Sequence, residues 1–248
     1  MEYFERRFIA PSVETNPFGA IAQMSPLCQA DGERTIAVFD WDDTLCPSSW
    51  LNAQGLLPLY RGHVVPLNSM VRQVLSALEE RIFALLTKAM SYGPVFVVTA
   101  AEKGWVEAAS TMYMPTISAL FKKSNDIHVV SARSWFETTF GCGGDARHWK
   151  IEVLGLIASK CFGNRHGLGS FNLISVGDSL AERDACHAAV SAIPETELFA
   201  KSLTFIEYPD AQEIFQQIDL ACSYFDHMCA WNNHLDLRIT RDQLHALH

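Results

Sequence analysis

The chain's 248 residues suit one α/β domain or a domain with a small addition, and a composition of 49% hydrophobic and 19% charged residues provides for a globular core. With 28 acidic against 19 basic residues, the formal net charge of -9 argues against general binding to nucleic acid or to an anionic membrane. Seven cysteines, odd in number and without a CxxC pair, favour reduced, mostly buried thiols in a cytoplasmic protein.

Residues 1–33 contain three prolines and several turn formers, which predicts an irregular N-terminal arm. The opening sequence, MEYFERRFIAPS, lacks the apolar core of a signal peptide. No stretch of the chain approaches the roughly 18 apolar residues of a membrane span. We therefore expect no membrane association.

The first predicted strand is Thr35–Phe39, and the carboxylates of Asp40, Asp42 and Asp43 follow it directly. Acidic side chains crowded at a strand end repel one another, and a hard divalent cation such as Mg2+ explains how they persist. Asp40 and Asp42 lie two positions apart, so both can face one reacting centre, and two carboxylates so placed can supply a nucleophile for phosphorus and a group that transfers a proton. Asp43 has no role in this arrangement and is expected to be a solvated loop residue.

Residues 46–66 contain three prolines and two glycines, which predicts an irregular loop that arches over the site. From Asn68, a predicted N-cap, apolar residues recur at helical spacing to about Met90, where we expect the first crossover helix. A second strand is predicted over residues 95–98, and Thr99 at its tip is either a plain N-cap or a ligand-binding hydroxyl.

Helices are predicted over 102–113 and 116–123, a third strand over Ile127–Ser131, and a helix from about Asp145 to Cys161 after the turn FGCGGD. Lys150 lies in the first turns of that helix. A basic residue there opposes the helix dipole, which points to an anionic ligand. The competing basic candidates for the same role are Lys122, Lys123, Lys160, Arg133 and Arg147.

A fourth strand is predicted over residues 171–176, followed by Gly177 and Asp178, and Glu182 falls one turn further on. These two carboxylates either cap a helix or bind a metal with the acidic loop of the first strand, and the pairing with that loop favours the metal. Asp184 is the alternative to Glu182. We expect a fifth strand at 203–207, a closing helix at 211–228 and a polar C-terminal tail at 230–248, whose histidines lack the spacing of a zinc site.

Four stretches, DWDDTL after an apolar strand, FVVTA, the helix with Lys150, and GDSLAE, occur in this order at strand ends or helix starts. Together they resemble the signatures of the haloacid dehalogenase-like hydrolases, most of which are magnesium-dependent phosphatases. The resemblance implies that residues 34–229 form the catalytic domain. Its implied fold is α/β, a three-layer α/β/α Rossmann-like sandwich around a central, mainly parallel sheet.

The resemblance also implies roles for individual residues. Asp40 would be the nucleophile that becomes an aspartyl phosphate, and Asp42 the general acid and base, whose presence argues against dehalogenation. Mg2+ would be held by Asp40, Asp178 and the backbone carbonyl of Asp42. The supporting groups would be Thr99 and Lys150 on the phosphoryl oxygens, Thr44 ordering the loop, and Glu182 orienting the metal or its waters.

The intervals 44–99 and 99–150 leave no room for a full cap domain, the insertion on which substrate choice largely depends in that family. We therefore expect a phosphorylated substrate that is bulky, such as a phosphoprotein, with a small metabolite left open. Three alternatives remain: a phosphotransferase, a binding protein that keeps the fold without turnover, and a nucleic-acid end phosphatase, which would need a basic stripe near the site. The oligomeric state is not indicated.

Overall fold

The computed structural model describes residues 34–59, 62–165 and 167–245, so the predicted N-terminal arm at 1–33 lies outside the described residues. The strands are β1 (Thr35–Phe39), β2 (Val95–Thr99), β3 (Ile127–Ser131), β4 (Phe171–Gly177), β5 (Leu198–Thr204) and β6 (Leu235–Arg238). The helices are α1 (Ser48–Ala53), α2 (Ser69–Met90), α3 (Trp105–Tyr113), α4 (Pro115–Lys123), α5 (Ala132–Phe140), α6 (Ala146–Phe162), α7 (Leu180–Ser191), α8 (Ala211–Ala230) and α9 (Arg241–His245).

The six strands form one parallel sheet in the order β3-β2-β1-β4-β5-β6. Alternate residues of β1 face opposite sides of it. Phe39 belongs to an apolar cluster shared with α2, α3, α4 and α8, whereas Val38 belongs to a second cluster shared with α5, α6 and α7. Helices therefore cover both faces, which confirms the predicted three-layer, Rossmann-like α/β fold.

The strand order reverses beside β1, because the chain runs outward through β2 and β3 and then returns to place β4 on the other side of β1. At such a reversal the connections after the two central strands diverge and leave a crevice at their carboxyl ends. Asp40 follows β1 and Asp178 follows β4. The topology thus brings two of the predicted site residues to the same crevice.

The predicted starts of two helices, α2 and α6, are confirmed. Asn68 caps α2 by accepting a hydrogen bond from the amide of Val71 at 2.9 Å, and Asp145 caps α6 by accepting one from the amide of His148 at 2.9 Å. Each cap satisfies an amide that has no partner within the helix. The start of α6, which carries Lys150, is therefore fixed by its own sequence.

Four differences from the sequence prediction concern elements with weak local patterns. The loop predicted at 46–66 contains the short helix α1, helix α5 was not predicted, and the segment predicted as a C-terminal tail contributes β6, which pairs with β5. The fifth strand is Leu198–Thr204, not 203–207. Lys201 lies inside it and reads as a polar interruption, but its ammonium is buried and donates to the carbonyl of Met228 at 2.6 Å.

The described residues contain no second sheet, and the connection between β1 and α2 holds only the six-residue α1. As predicted, they include no full cap domain. Within the same residues, no helix combines the length and apolar character needed to cross a membrane. None of the six described cysteines forms a disulfide, and four of them are buried, as predicted: Cys46, Cys161, Cys186 and Cys229.

Candidate functional site

Three carboxylates meet at the carboxyl edge of the sheet. Asp40 follows β1, Asp178 follows β4, and Glu182 lies in the first turn of α7. One carboxylate oxygen from each lies within 4.8 Å of the other two. Asp40 and Glu182 are buried and Asp178 is partly buried. Like charges this close raise one another's pKa and favour a bound cation.

Lys150 supplies positive charge to this cluster from the first turns of α6. Its ammonium lies 2.7 Å from Oδ1 of Asp40 and forms a second ion pair with Oε1 of Glu182. The side chain is buried, and burial opposes its charge. The two carboxylates outweigh that effect and raise the pKa of Lys150 above its usual range, so the ammonium stays charged.

Two of the competing basic candidates, Arg133 and Arg147, and the acidic alternative Asp184 pair with other residues. Arg147 pairs with Asp184 at 2.7 Å, and Arg133 pairs with Glu137 at 3.0 Å. Because Asp184 is held by Arg147, it lies outside the group of carboxylates that Glu182 joins. The geometry therefore favours Lys150 among the basic candidates and Glu182 over Asp184.

Glu182 both caps α7 and contacts Lys150. Its Oε2 accepts hydrogen bonds from the amide of Ser179 at 3.0 Å and the hydroxyl of Ser179 at 2.6 Å. Burial opposes ionisation of Glu182, but the charge of Lys150 and these hydrogen bonds lower its pKa below the usual range. A Cβ at position 177 would overlap the Glu182 side chain, so Gly177 is what lets Glu182 reach Lys150.

The other two carboxylates resist ionisation. Burial, opposed by Lys150 but aided by Glu182 and Asp42, raises the pKa of Asp40 to about 7. Burial, together with the charges of Asp40 and Glu182, raises the pKa of Asp178 to about 8. One ammonium therefore does not neutralise the site, and an additional cation would stabilise its ionised form.

The raised pKa values predict how pH and Mg2+ affect stability. Between about pH 4 and pH 8 the native protein holds protons on Asp40 and Asp178 that the unfolded chain has lost, so the free energy of unfolding falls as pH rises. In EDTA we expect the melting temperature to be at least about 3 °C lower at pH 8.5 than at pH 5.5. Mg2+ should raise it more at pH 8.5 than at pH 5.5.

Thermal unfolding followed by circular dichroism at both pH values, in EDTA and in Mg2+, measures these differences. The control is Asp178→Asn, which cannot ionise and should lose part of both the pH effect and the Mg2+ effect. A melting temperature in EDTA that rises with pH, or a Mg2+ effect equal at both pH values, would contradict this account of the cluster.

Asp42 is not part of the acidic group, because donors from three elements hold its side chain. Its Oδ1 accepts hydrogen bonds from the hydroxyl of Ser48 at 2.6 Å and from the indole Nε1 of Trp105 at 2.9 Å. Its Oδ2 accepts a longer bond, 3.3 Å, from the hydroxyl of Thr99, which itself accepts from the amide of Ala101 at 2.9 Å. The predicted phosphate-binding hydroxyl of Thr99 thus contacts the predicted acid and base.

The prediction that Asp43 is a solvated loop residue is wrong. Asp43 is buried, has a φ of 55°, and accepts hydrogen bonds from the amide of Ser49 at 2.8 Å and from the hydroxyl of Ser49. The left-handed backbone turns the carboxylate back toward the start of α1. Asp43 therefore holds α1 against the acidic loop.

Thr44 is fully buried, and its amide donates to the carbonyl of Trp41 at 3.4 Å. The amides of Leu45 and Cys46 donate to the same carbonyl at 3.0 and 2.8 Å. The hydroxyl of Thr44 has no hydrogen-bond partner among the described residues. The carbonyl of Trp41 is therefore the main acceptor that orders this loop.

Sequence reasoning missed four polar groups that hold the site residues. Ser48 and Ser49 lie in a segment predicted to be irregular, and Trp105 carried no motif. The contact of Ser179 with Glu182 could have been predicted, because the two residues form the S-x-x-E pattern of a capping box. The structure contains that capping box. The contacts of Ser48 and Trp105 with Asp42 depend on the folding of distant segments.

Comparison of the chain with models of protein families, with curated proteins and with solved structures found no match in any of the three.

Proposed function

We propose that this protein is a magnesium-dependent phosphohydrolase that cleaves a phosphomonoester through an aspartyl phosphate on Asp40. The observation that carries the proposal is the convergence, within 4.8 Å of one another, of oxygens from Asp40, Asp178 and Glu182. They lie in the crevice of a doubly wound sheet, where ligands of such folds bind. The ammonium of Lys150, 2.7 Å from Asp40, adds the positive charge that an anionic substrate requires.

The resemblance to the haloacid dehalogenase-like hydrolases supports the proposal. The residues that carry it follow β1, end β2, lie on the helix before β4, and follow β4. That family often has glycine where this chain has Asp43. The φ of 55° at Asp43 is a backbone conformation that favours glycine, so the departure in sequence does not imply a different loop shape.

The residues present fit Mg2+. The donors that the resemblance implies are hard oxygens, those of Asp40 and Asp178 and the backbone carbonyl of Asp42. Burial, and after it the neighbouring carboxylates, raise the pKa of Asp40 and of Asp178, and a bound cation would oppose both effects. When bound, the ion would neutralise charge on the phosphoryl group. Glu182 is engaged by Lys150 and Ser179 and would support these ligands rather than replace them.

The protein's own residues divide the chemistry between two carboxylates. An oxygen of Asp40 forms a bond to phosphorus while the bond from phosphorus to the leaving oxygen breaks, and Asp42 gives that oxygen a proton. Asp42 then takes a proton from the water that attacks phosphorus, and the bond from phosphorus to Asp40 breaks. Lys150, held by Glu182, favours the ionised form of Asp40 against the effect of burial and binds a phosphoryl oxygen.

A bulky phosphoester, such as a phosphoprotein, is the proposed substrate. The described residues include no cap domain over the crevice. Asp42 and Asp178 are also partly exposed at its mouth. A crevice that the described residues leave without a cap domain favours a substrate whose phosphate is carried by a large group.

Hydrolysis of 4-nitrophenyl phosphate and of phosphoserine and phosphotyrosine peptides, in EDTA and in Mg2+, tests the proposal. We expect turnover in Mg2+ and a loss of at least about 100-fold in EDTA. Equal turnover in EDTA would refute the magnesium dependence, and no turnover of any of these substrates would refute the phosphohydrolase. Phosphate transfer to an added alcohol in preference to water would identify a phosphotransferase instead.

A further inference from the structure

The two oxygens of the Asp42 carboxylate are held unequally. Oδ1 accepts two short hydrogen bonds, from Ser48 at 2.6 Å and from Trp105 at 2.9 Å. Oδ2 accepts the longer bond of 3.3 Å from Thr99. The three donors differ in kind, because an indole N–H can only donate, whereas a hydroxyl can turn to donate or accept.

The two donors to Oδ1 come from the starts of two helices. Ser48 is the first residue of α1, and Trp105 is the first residue of α3. Both side chains are buried, and Trp105 packs in the apolar cluster of that face of the sheet. An indole fixed by packing offers its N–H in one direction only, which sets the orientation of the carboxylate it binds.

Resting on the proposed function, we infer that Trp105 is a positioning residue for the general acid and base. With Ser48 it anchors Oδ1 of Asp42, so that Oδ2 is the oxygen that exchanges the proton. A proton on Oδ1 would face the indole N–H, which cannot turn away. Among the described residues, the hydrogen-bond partner of Oδ2 is the hydroxyl of Thr99, which can rotate to accept a proton from it.

The proton follows one path in both half-reactions. In the first, Asp40 bonds to phosphorus, the bond to the leaving oxygen breaks, and the proton of Oδ2 moves to that oxygen, which leaves as an alcohol. In the second, water bonds to phosphorus, one of its protons moves to Oδ2, and the bond from phosphorus to Asp40 breaks. Trp105 and Ser48 keep their hydrogen bonds to Oδ1 throughout.

A series of aryl phosphates with leaving groups of graded acidity tests the inference, because an acidic leaving group needs no proton and a basic one does. The variants are Trp105→Phe and Ser48→Ala, each of which removes one donor to Oδ1. The control is Trp135→Phe, which changes a buried tryptophan of α5 whose indole N–H has no hydrogen-bond partner among the described residues.

For Trp105→Phe we expect kcat/KM to fall about 10- to 100-fold with phenyl phosphate, which is part of the roughly 10²- to 10⁴-fold that general acid catalysis supplies. With 4-nitrophenyl phosphate it should fall less than about threefold. Ser48→Ala should likewise lower kcat/KM more with phenyl phosphate than with 4-nitrophenyl phosphate. With 4-nitrophenyl phosphate, kcat should fall more than kcat/KM, since breakdown of the aspartyl phosphate still needs Asp42 as a base.

Equal losses for every leaving group in Trp105→Phe and Ser48→Ala would overturn the inference, because a purely structural role lowers all rates alike. If Trp105→Phe does not fold, the test rests on Ser48→Ala, which changes the side-chain volume little and is expected to fold. The inference would also be overturned if Trp135→Phe lowered kcat/KM more for basic leaving groups than for acidic ones, as Trp105→Phe is expected to do. Failure of the proposed function is seen separately, as absence of turnover in the wild type, and the inference falls with it.

Discussion

Asp40→Asn is expected to abolish magnesium-dependent phosphate release, by at least about 10^4-fold, a loss typical of removing a nucleophile that acts in a covalent mechanism. The amide of asparagine is neutral and a weak nucleophile, and it cannot form an acyl phosphate. The substitution keeps the shape of the side chain and an oxygen that can accept from Lys150. Phosphate release by purified wild type and variant, measured with 4-nitrophenyl phosphate in Mg2+, gives the ratio.

The fold should survive this change. Burial and neighbouring carboxylates raise the pKa of Asp40 to about 7, so the ionised carboxylate destabilises the native protein. A neutral side chain at this position removes that destabilisation. We expect the melting temperature of Asp40→Asn in EDTA at pH 8.5 to equal or exceed that of the wild type. A loss of activity with normal unfolding is therefore chemical.

Asp184→Asn is the matched control for Asp40→Asn. Asp184 lies on α7 near the site, pairs with Arg147 at 2.7 Å and is outside the group of three carboxylates. Its activity should stay within about twofold of the wild type, because an exposed ion pair contributes little. If Asp40→Asn keeps wild-type activity, Asp40 is not the nucleophile, and if Asp184→Asn loses as much as Asp40→Asn, the assignment of the acidic residues is wrong.

The parts of the fold that the sequence predicts are those with a strong local cause. Five consecutive apolar or β-branched residues predict β1, and Asn68 and Asp145 predict the starts of α2 and α6 because each caps through its own side chain. Parallel strands end at one edge of a sheet, so Asp40 and Asp178 could be predicted to lie together although 138 residues separate them.

The parts that the sequence does not predict depend on contacts between distant segments. Lys201 interrupts the apolar pattern of β5. Its ammonium can be buried because it donates a hydrogen bond to the carbonyl of Met228, 27 residues later, and the local sequence does not indicate that contact. β6 is a short edge strand, LDLR, whose residues are mostly exposed, and an alternation of only four residues is too short to distinguish a strand from an irregular tail. The bond from Trp105 to Asp42 spans 63 residues and leaves no local motif.

Asp43 shows how a local reading fails within a motif. A third carboxylate in a loop is ordinarily solvated, and nothing in the residue type indicates a φ of 55°. That backbone conformation directs the side chain to Ser49, in a helix that the prolines and glycines of 46–66 had argued against. The backbone conformation of Asp43 therefore determines whether its carboxylate faces solvent or accepts hydrogen bonds from Ser49.

Lys150→Met is expected to lower kcat about 10²- to 10³-fold, since it removes a preorganised positive charge from the site where charge develops. It should also lower the free energy of unfolding by about 3–5 kcal/mol, because it leaves the buried carboxylates of Asp40 and Glu182 without their common partner. Mg2+ should restore part of that stability by neutralising the same carboxylates. Steady-state hydrolysis and urea unfolding in EDTA and in Mg2+ measure the two effects.

Two further variants separate charge from packing in this prediction. Lys160→Met makes the same substitution at the exposed end of α6, and its activity and stability should stay close to the wild type. The double variant Lys150→Met with Glu182→Gln should regain stability but not activity, because it removes one of the two unpaired buried charges without returning the ammonium that we propose binds the phosphoryl group. If Lys150→Met keeps its activity, another basic residue binds the phosphoryl group, and Arg133 and Arg147 are the next to test.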